Sequence, residues 1–350
     1  MNIANWDTAS PLLRAWWHHE TTRPVAQVVA ARDGVPPSSF DWWWFAKPNA
    51  DRTEILAAFE QWVDHTWFGG AALPNMFFNM GPGVLAACFN DYLEYRPDSE
   101  TVWFEKPEPW ETVQRYEYQP RGHWMNYLRE NLSYFLHSGR DNHLLGMTDL
   151  GGTLDILASF RGGENLVMDL LLEPDRVNRL RRRINDAWFD AFSDLHTIIE
   201  RKHHGNAAWM GLWAPGAWYP LQCDFSAMLS PELFGEFVAP DLAEQARWLD
   251  YSIYHLDGPN QIPHLDHLLA IPELDGIQWV PGAGNPQNES TRWYPLYERI
   301  LEQDKLLVLQ CWCDLDQIPQ LLKDFPSGRI LCSLSATTEA EGRRMLEWFG

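Results

Sequence analysis

The sequence predicts an α/β protein, specifically a (β/α)₈ barrel of the TIM type. From about residue 140, short β-type segments that end in Gly, Asp or Pro alternate with longer helix-type segments. This alternation is typical of βαβ crossovers and a parallel sheet. The 350 residues accommodate a barrel of about 250 residues with additions. Hydrophobic residues make up 45% of the chain and charged residues 21%, which favours a folded core and excludes a wholly disordered chain.

The amino-terminal part of the chain is predicted to be the least regular. Residues 1–75 are rich in Trp and Pro, and we expect them to form an irregular extension that wraps the barrel, within a single domain over residues 1–350. Two segments in this part have strand character, Pro24–Ala30 and Pro74–Phe78. A helix is predicted over Arg52–His65, where apolar residues recur at helical spacing.

The rest of the chain contains most of the predicted alternating strands and helices. Six strands are predicted at His143–Thr148, Ala207–Trp213, Tyr251–Leu256, Gly276–Val280, Leu306–Cys311 and Arg329–Leu334. The intervening helices are predicted at Pro174–Arg201, Pro231–Asp250, Gln261–Leu269, Tyr294–Gln303, Ile318–Asp324 and Glu339–Phe349. With the two earlier segments there are eight strands, the number that closes a barrel. A doubly wound open sheet is the alternative arrangement.

Charge and short motifs exclude several classes of function. Lys and Arg total 27 against 48 Asp and Glu, a net charge of −21, which disfavours binding to nucleic acid or to an anionic membrane. The sequence has neither a Gly-x-Gly-x-x-Gly after a first strand nor a phosphate-binding loop ending in Gly-Lys-Ser/Thr. No apolar segment approaches the roughly 20 residues of a membrane-spanning helix, and the first residues lack signal-peptide features. The expected location is the cytoplasm.

Tryptophan is unusually abundant, with 20 residues in the chain. Five aromatic side chains lie in or next to predicted strand-end loops: Trp213, Trp218, Tyr219, Trp279 and Trp312. We expect several of them to line one cavity and to bind a flat, apolar or cationic substrate. The alternative is that these aromatic side chains serve only in core packing.

Polar residues at the ends of the predicted strands are candidates for catalysis, because barrel active sites lie at the carboxyl ends of the strands. Asp149 and Asp155 are candidate acid–base groups, although acidic loop residues are more often turn formers or caps. Asp224, which also follows a predicted strand, is a further catalytic candidate. Gln310 is a candidate hydrogen-bond donor to substrate; its alternative role is a satisfied polar group of the barrel.

A metal site is predicted from three further residues. His255 and Asp257 are two positions apart at one strand end, and their side chains therefore point to the same side. Cys332 ends a later strand, which barrel closure brings near. Imidazole, carboxylate and thiolate are all zinc ligands, and three protein ligands with one open position is the arrangement of catalytic zinc. The alternative is that His255 and Asp257 are a hydrogen-bonded pair that fixes a turn.

The carboxyl-terminal half resembles the uroporphyrinogen decarboxylase superfamily over about residues 140–350. The resemblance is carried by Asp224-Phe225-Ser226 and Leu229-Ser230-Pro231-Glu232-Leu233-Phe234, by Tyr254-His255-Leu256-Asp257-Gly258, and by Leu309-Gln310. It implies a (β/α)₈ barrel with the active site in its mouth. The superfamily contains the decarboxylase itself and zinc-dependent methyltransferases that work with corrinoid proteins.

The sequence is more similar to the methyltransferase branch. The decarboxylase has an Arg-rich loop after its first strand and an essential early Asp, whereas Val28–Gly34 contains one Arg and Pro74–Gly83 contains no Asp. The methyltransferases place zinc on His-x-Cys and a distant Cys, and the matching positions here are His255, Asp257 and Cys332. An Asp in place of a thiolate makes the metal a harder Lewis acid, suited to polarising an oxygen or nitrogen.

These features together predict a zinc-dependent methyltransferase. It would move a methyl group between a small methoxylated or methylamine-like donor and a corrinoid protein, with Zn²⁺ as its cofactor and with neither nucleic acid nor a membrane as partner. The alternatives are a decarboxylase or other lyase acting on a non-porphyrin acid, a glycoside-active barrel, and a non-catalytic ligand-binding barrel.

Overall fold

The computed structural model describes residues 3–203 and 205–350. The strands in this part of the chain are β1 (Val25–Ala31), β2 (Thr66–Gly70), β3 (Asn75–Phe77), β4 (Glu94–Arg96), β5 (Thr101–Trp103), β6 (Leu144–Gly146), β7 (Asn206–Ala207), β8 (Trp213–Ala214), β9 (Trp218–Gln222), β10 (Tyr251–Asp257), β11 (Gly276–Val280), β12 (Leu306–Leu309) and β13 (Ile330–Ala336). The α-helices are α1 (Trp6–Trp17), α2 (Arg52–His65), α3 (Ala87–Asn90), α4 (Trp110–Val113), α5 (His123–Ser138), α6 (Thr153–Arg161), α7 (Gly163–Leu172), α8 (Pro174–His203), α9 (Pro231–Phe237), α10 (Ala239–Trp248), α11 (Leu265–Leu269), α12 (Tyr294–Glu302), α13 (Ile318–Asp324) and α14 (Glu339–Leu346). None of these helices is both long and apolar enough to cross a bilayer.

The parallel α/β architecture is confirmed. The main sheet has seven strands in the order β2-β1-β13-β12-β11-β10-β9, in which all neighbours are parallel except β1 and β2. A second sheet has the order β3-β6-β7-β8, and a β4–β5 hairpin stands apart from both. Among the described residues, nine strands have a parallel neighbour, against the eight predicted: β1, β3, β6, β7 and β9 to β13. The backbone pairing of these residues does not join the two sheets into a continuous barrel.

One predicted strand is wrong. The segment Ala207–Trp213 was expected to be a single parallel strand, but it forms the β7–β8 hairpin, in which Asn206 and Ala207 pair antiparallel with Ala214 and Trp213. Gly211 adopts a φ of 74° in the connecting turn, a conformation that favours glycine. The strand that pairs parallel with β10 is instead β9. It contains a proline at position 220, and the sequence did not predict it because proline is rare inside sheets.

The amino-terminal 75 residues are more regular than the expected irregular extension. They contain α1, β1, α2 and β2, and β1 lies inside the main sheet between β2 and β13. Irregular structure is concentrated between residues 32 and 51, around a short 3₁₀ turn at Trp44–Ala46. Parallel pairing with β13 makes β1 part of the scaffold that carries the site.

Helix α1 covers the amino-terminal ends of the strands. Its Trp17 donates from Nε1 to the carbonyl of Trp213 at 3.0 Å, and Trp16 donates to the carbonyl of Arg329 at 3.2 Å. Both indoles are buried in one cluster with the first residues of β1, β6, β9 and β12. Because this end is filled with apolar side chains, the polar groups are concentrated at the carboxyl ends of the strands.

Candidate functional site

The turn of the β7–β8 hairpin is held by polar side chains from both sheets. Its Met210 carbonyl accepts from Gln27 Nε2 at 3.1 Å and from Gln310 Nε2 at 2.9 Å. The neighbouring carbonyl of Ala208 accepts from Asn75 Nδ2 at 2.8 Å. The turn therefore lies between the strands of the two sheets, where its carbonyl groups accept hydrogen bonds from the amide side chains of both.

His255 is held in one orientation by a chain of amide side chains. It is the register partner of Gln278 on the adjacent strand, and its Nδ1 lies 2.6 Å from Gln278 Oε1. Gln278 in turn donates to Gln310 Oε1. Because an amide oxygen can only accept, Nδ1 donates this hydrogen bond, which leaves Nε2 as the ring nitrogen that could bind a metal. The indole of Trp209 packs edge-on against the imidazole, with ring centroids 5.0 Å apart.

Three possible metal ligands converge beside this chain. One donor atom each from Asp224, His255 and Asp257 lies within 4.8 Å of the other two. His255 and Asp257 share one face of β10, as predicted. Asp224 follows β9, whose Gln222 is the register partner of His255, and it is exposed while the other two are half-buried. The structure therefore brings the predicted pair together with Asp224.

Cys332 does not join this group, contrary to the expectation from the sequence. Its neighbour Ser333 points to the interior, where Ser333 Oγ accepts from Gln310 Nε2 at 2.8 Å. Successive side chains of a strand point to opposite faces, so Cys332 lies on the other face, fully buried and close enough to Tyr297 of α12 to affect its ionisation. Burial raises the pKa of the Cys332 thiol, which favours the protonated form over the thiolate that binds metals.

Two further carboxyl groups are buried next to the triad. Asp149 Oδ1 accepts from the Gly151 amide at 2.8 Å, from Tyr219 Oη at 3.1 Å and from Gln222 Nε2 at 3.1 Å. Burial nevertheless raises the pKa of Asp149 to about 6. The side chain is almost wholly enclosed, so its direct contacts are with protein groups.

Asp155 is the second buried carboxyl group. Its Oδ1 accepts from the Phe225 amide at 2.7 Å, while its Oδ2 is buried and has no hydrogen-bond partner among the described residues. Burial, reinforced by the charge of Asp224, raises the pKa of Asp155 to about 7. The pKa of Asp224 is also raised, by burial and by Asp257 against the opposing effect of His255, even though its side chain is partly open to solvent. The carboxylates repel one another, and a bound cation would reduce this repulsion.

A cavity of about 620 Å³ adjoins the triad. Trp209 lines it and contacts His255, and Gln310 lines it and bonds to Gln278. The other aromatic lining residues are Trp42, Trp62, Phe68 and Phe77, and the other polar ones are Gln27, Asn75, Ser333 and Ser335. No charged residue lines it in the described part of the chain. Of the predicted catalytic and substrate-binding residues, Gln310 alone belongs to this lining.

The five predicted aromatic residues lie elsewhere. Trp213 and Trp218 belong to the apolar cluster that α1 covers, and Tyr219 and Trp279 point outward from their strands against Trp188 and Trp293. Trp312 is half-buried and donates from Nε1 to the Ser333 carbonyl at 2.8 Å. Packing therefore accounts for these side chains. The aromatic wall comes instead from residues 42–77 and the hairpin turn, and the sequence signals for it are the Trp42-Trp43-Trp44 cluster and Trp209.

Among solved structures, this chain is similar to a methyltransferase from Methanosarcina mazei. The two superpose with a TM-score of 0.59 over 97% of each chain, at 11% sequence identity. The chain therefore shares the fold of that protein. No protein-family model and no curated protein sequence matches it. At 11% identity the likeness concerns the fold, so the chemistry has to be argued from the residues of the site.

Proposed function

We propose that this protein is a metal-dependent methyltransferase that takes a methyl group from a small methoxylated or methylamine-like donor and passes it to a corrinoid protein. One observation carries the proposal: the donor atoms of Asp224, His255 and Asp257 lie within 4.8 Å of one another, beside an aromatic cavity. The methyltransferase-like fold supports it. The corrinoid protein as methyl acceptor rests on the sequence resemblance.

The triad suits Zn²⁺ by the chemistry of its donors. One imidazole nitrogen and two carboxylate oxygens are three protein ligands, which leaves one position open for substrate. Gln278 holds Nδ1 of His255, in the manner of the outer groups that orient metal-bound histidines. Bound zinc would supply Lewis-acid polarisation of the donor's oxygen or nitrogen.

The cavity favours a neutral or cationic donor. Its aromatic rings can contact a methyl group or stack on an arene, and ring faces also attract an alkylammonium group. Amides from Gln27, Asn75 and Gln310 provide neutral hydrogen-bonding groups. A carboxylic acid would find no cationic side chain in the described lining and would lie near Asp224 and Asp257. This electrostatic environment disfavours the alternative of a lyase that acts on an acid.

The buried carboxyl groups adjust the charge of the site. With a pKa of about 7, Asp155 can hold a proton beside Asp224 in the metal-free protein, which lowers the repulsion among the carboxylates. Its fixed contact to the Phe225 amide also positions the turn that carries Asp224. Asp149, contacted by Gln222 and Tyr219, lies one layer further from the cavity and positions these groups rather than touching substrate.

The proposal is tested by zinc binding and by methyl transfer in matched variants. Asp224→Asn should weaken zinc binding at least about 100-fold, because it removes a charged ligand. Gln278→Leu should weaken it about 10- to 100-fold, since groups that orient metal-bound histidines have effects of that size. Cys332→Ala is the control and should leave zinc affinity unchanged, because Cys332 faces the helices. Zinc affinity is measured by calorimetry after chelator treatment.

Methyl transfer is followed by the absorbance change of free cob(I)alamin in the presence of methanol, methylamines or a methoxylated arene. The wild type should methylate cobalamin with at least one donor class, and Asp224→Asn should lower the rate in parallel with its loss of zinc. Failure of the wild type to bind zinc, or an equal loss of zinc in Cys332→Ala, would show the proposed metal site to be wrong.

A further inference from the structure

A second cavity, of about 340 Å³, lies between α4 with the residues that follow it and the first turns of α8. Its lining includes four arginines, Arg115, Arg176, Arg179 and Arg183, together with Trp110. No acidic residue lines it in the described part of the chain, although the whole chain carries a net charge of −21. This cavity shares no lining residue with the aromatic cavity.

Four arginines converge here, and the contact of Arg176 with Glu173 is their one ion pair in the described part of the chain. Arg176, Arg179 and Arg183 recur at helical spacing, which places them on one face of α8. Arg176 has a loose contact of 3.6 Å with Glu173. Arg115 and Arg179 are exposed, and within residues 3–203 and 205–350 neither has a carboxylate oxygen within 4.0 Å. Like charges held together in this way repel one another unless an anion lies between them.

Part of the cavity is already rigid. Arg183 donates from Nη1 to the Gln114 carbonyl at 3.0 Å and from Nη2 to the Tyr116 carbonyl, which fixes its guanidinium against the opposite wall. Arg183 thereby holds the segment that carries Arg115 at a set distance from α8. A binding site whose walls are fixed in advance loses less entropy when a ligand enters.

Trp110 adds a second polar feature to this cavity. It lines the cavity with only 8% of its surface exposed, and its Nε1 is buried with no hydrogen-bond partner among residues 3–203 and 205–350. The guanidinium of Arg161 lies 4.8 Å from the centre of its ring, which fixes the indole in place. Buried indole N–H groups usually have an acceptor, and an oxyanion in the cavity would supply one.

We propose that this cavity binds a small ligand with a phosphate group, such as a phosphomonoester or pyrophosphate. Guanidinium groups bind phosphate oxygens through paired hydrogen bonds, and Arg115 and Arg179 have their donors free for this geometry. The volume is at the lower end of the range for small-molecule sites. The proposal is independent of the methyltransferase function, because the two cavities have no residue in common.

The test is calorimetric titration of the full chain with inorganic phosphate and with pyrophosphate at constant ionic strength. The wild type should bind one pyrophosphate saturably, and the double variant Arg115→Gln/Arg179→Gln should bind it at least tenfold more weakly. Arg182→Gln/Arg201→Gln is the matched control: it removes two exposed arginines of the same helix that do not line the cavity. This control should retain wild-type affinity, and both variants should keep the wild-type circular dichroism.

Three outcomes would overturn the proposal. The first is no saturable binding of either anion by the wild type at millimolar concentration. The second is equal weakening in the two double variants, which would mean that overall charge rather than this cavity attracts the anion. The third is equal affinity for citrate and pyrophosphate, which would exclude a phosphate-selective site.

Discussion

Replacing Asp149 by Asn should stabilise the metal-free protein at neutral and alkaline pH. Asp149 is almost fully enclosed, and burial raises its pKa from an ordinary value of 3.8 to about 6. A carboxyl group with a raised pKa in the folded state favours folding while it is protonated. That contribution is lost as pH rises from the pKa of Asp149 in the unfolded chain through its pKa in the folded protein, because the carboxyl group ionises more readily in the unfolded chain. The neutral amide avoids this loss.

The size of the effect follows from the two pKa values. The cost of ionising Asp149 in the folded protein grows as pH rises above 3.8, to about 2 kcal/mol at pH 5 and about 3 kcal/mol at pH 8. Asn retains an acceptor for the Gly151 amide and Tyr219 Oη, so most of the local geometry survives. We therefore expect Asp149→Asn to gain about 1 kcal/mol of stability relative to the wild type between pH 5 and pH 8.

The assay is urea unfolding of chelator-treated protein at several pH values from 5 to 8, with the free energy of unfolding extrapolated to water. Asp186→Asn serves as the control, because Asp186 is exposed on α8 and its replacement should not change the pH dependence. If Asp149→Asn has the same pH dependence as the wild type, burial does not raise the pKa of Asp149, and the electrostatic description of the site is incorrect.

Two further predictions concern the support of the site. Gly152→Ala should destabilise the protein by about 1–3 kcal/mol, because the added methyl group would overlap the backbone oxygen of Gln222. Urea unfolding measures this loss, and an unchanged unfolding midpoint would contradict the prediction. Arg181→Ala should lower the free energy of unfolding by about 3–5 kcal/mol, because it leaves Asp241 buried without its ion-pair partner. In the same assay, the double variant Arg181→Ala/Asp241→Asn should recover part of this loss.

The sequence alone determines the alternation of strands and helices and the pairing of two metal-ligand candidates. His255 and Asp257 share a face because side chains of a strand alternate with a period of two, whatever the rest of the fold does. The deficit of cationic residues is likewise a property of composition. Side-chain alternation and residue composition can both be read from a single sequence, because neither depends on which distant segments come into contact.

Tertiary structure decides which strand face points inward and which distant residues meet. Cys332 and Ser333 are adjacent, and only the register of β13 with β1 places Ser333 next to Gln27 and turns the thiol away. Asp224 completes the triad because β9 pairs with β10 so that Gln222 lies opposite His255. Both results depend on strand register, which is set by contacts between segments far apart in the chain and leaves no mark in the local pattern.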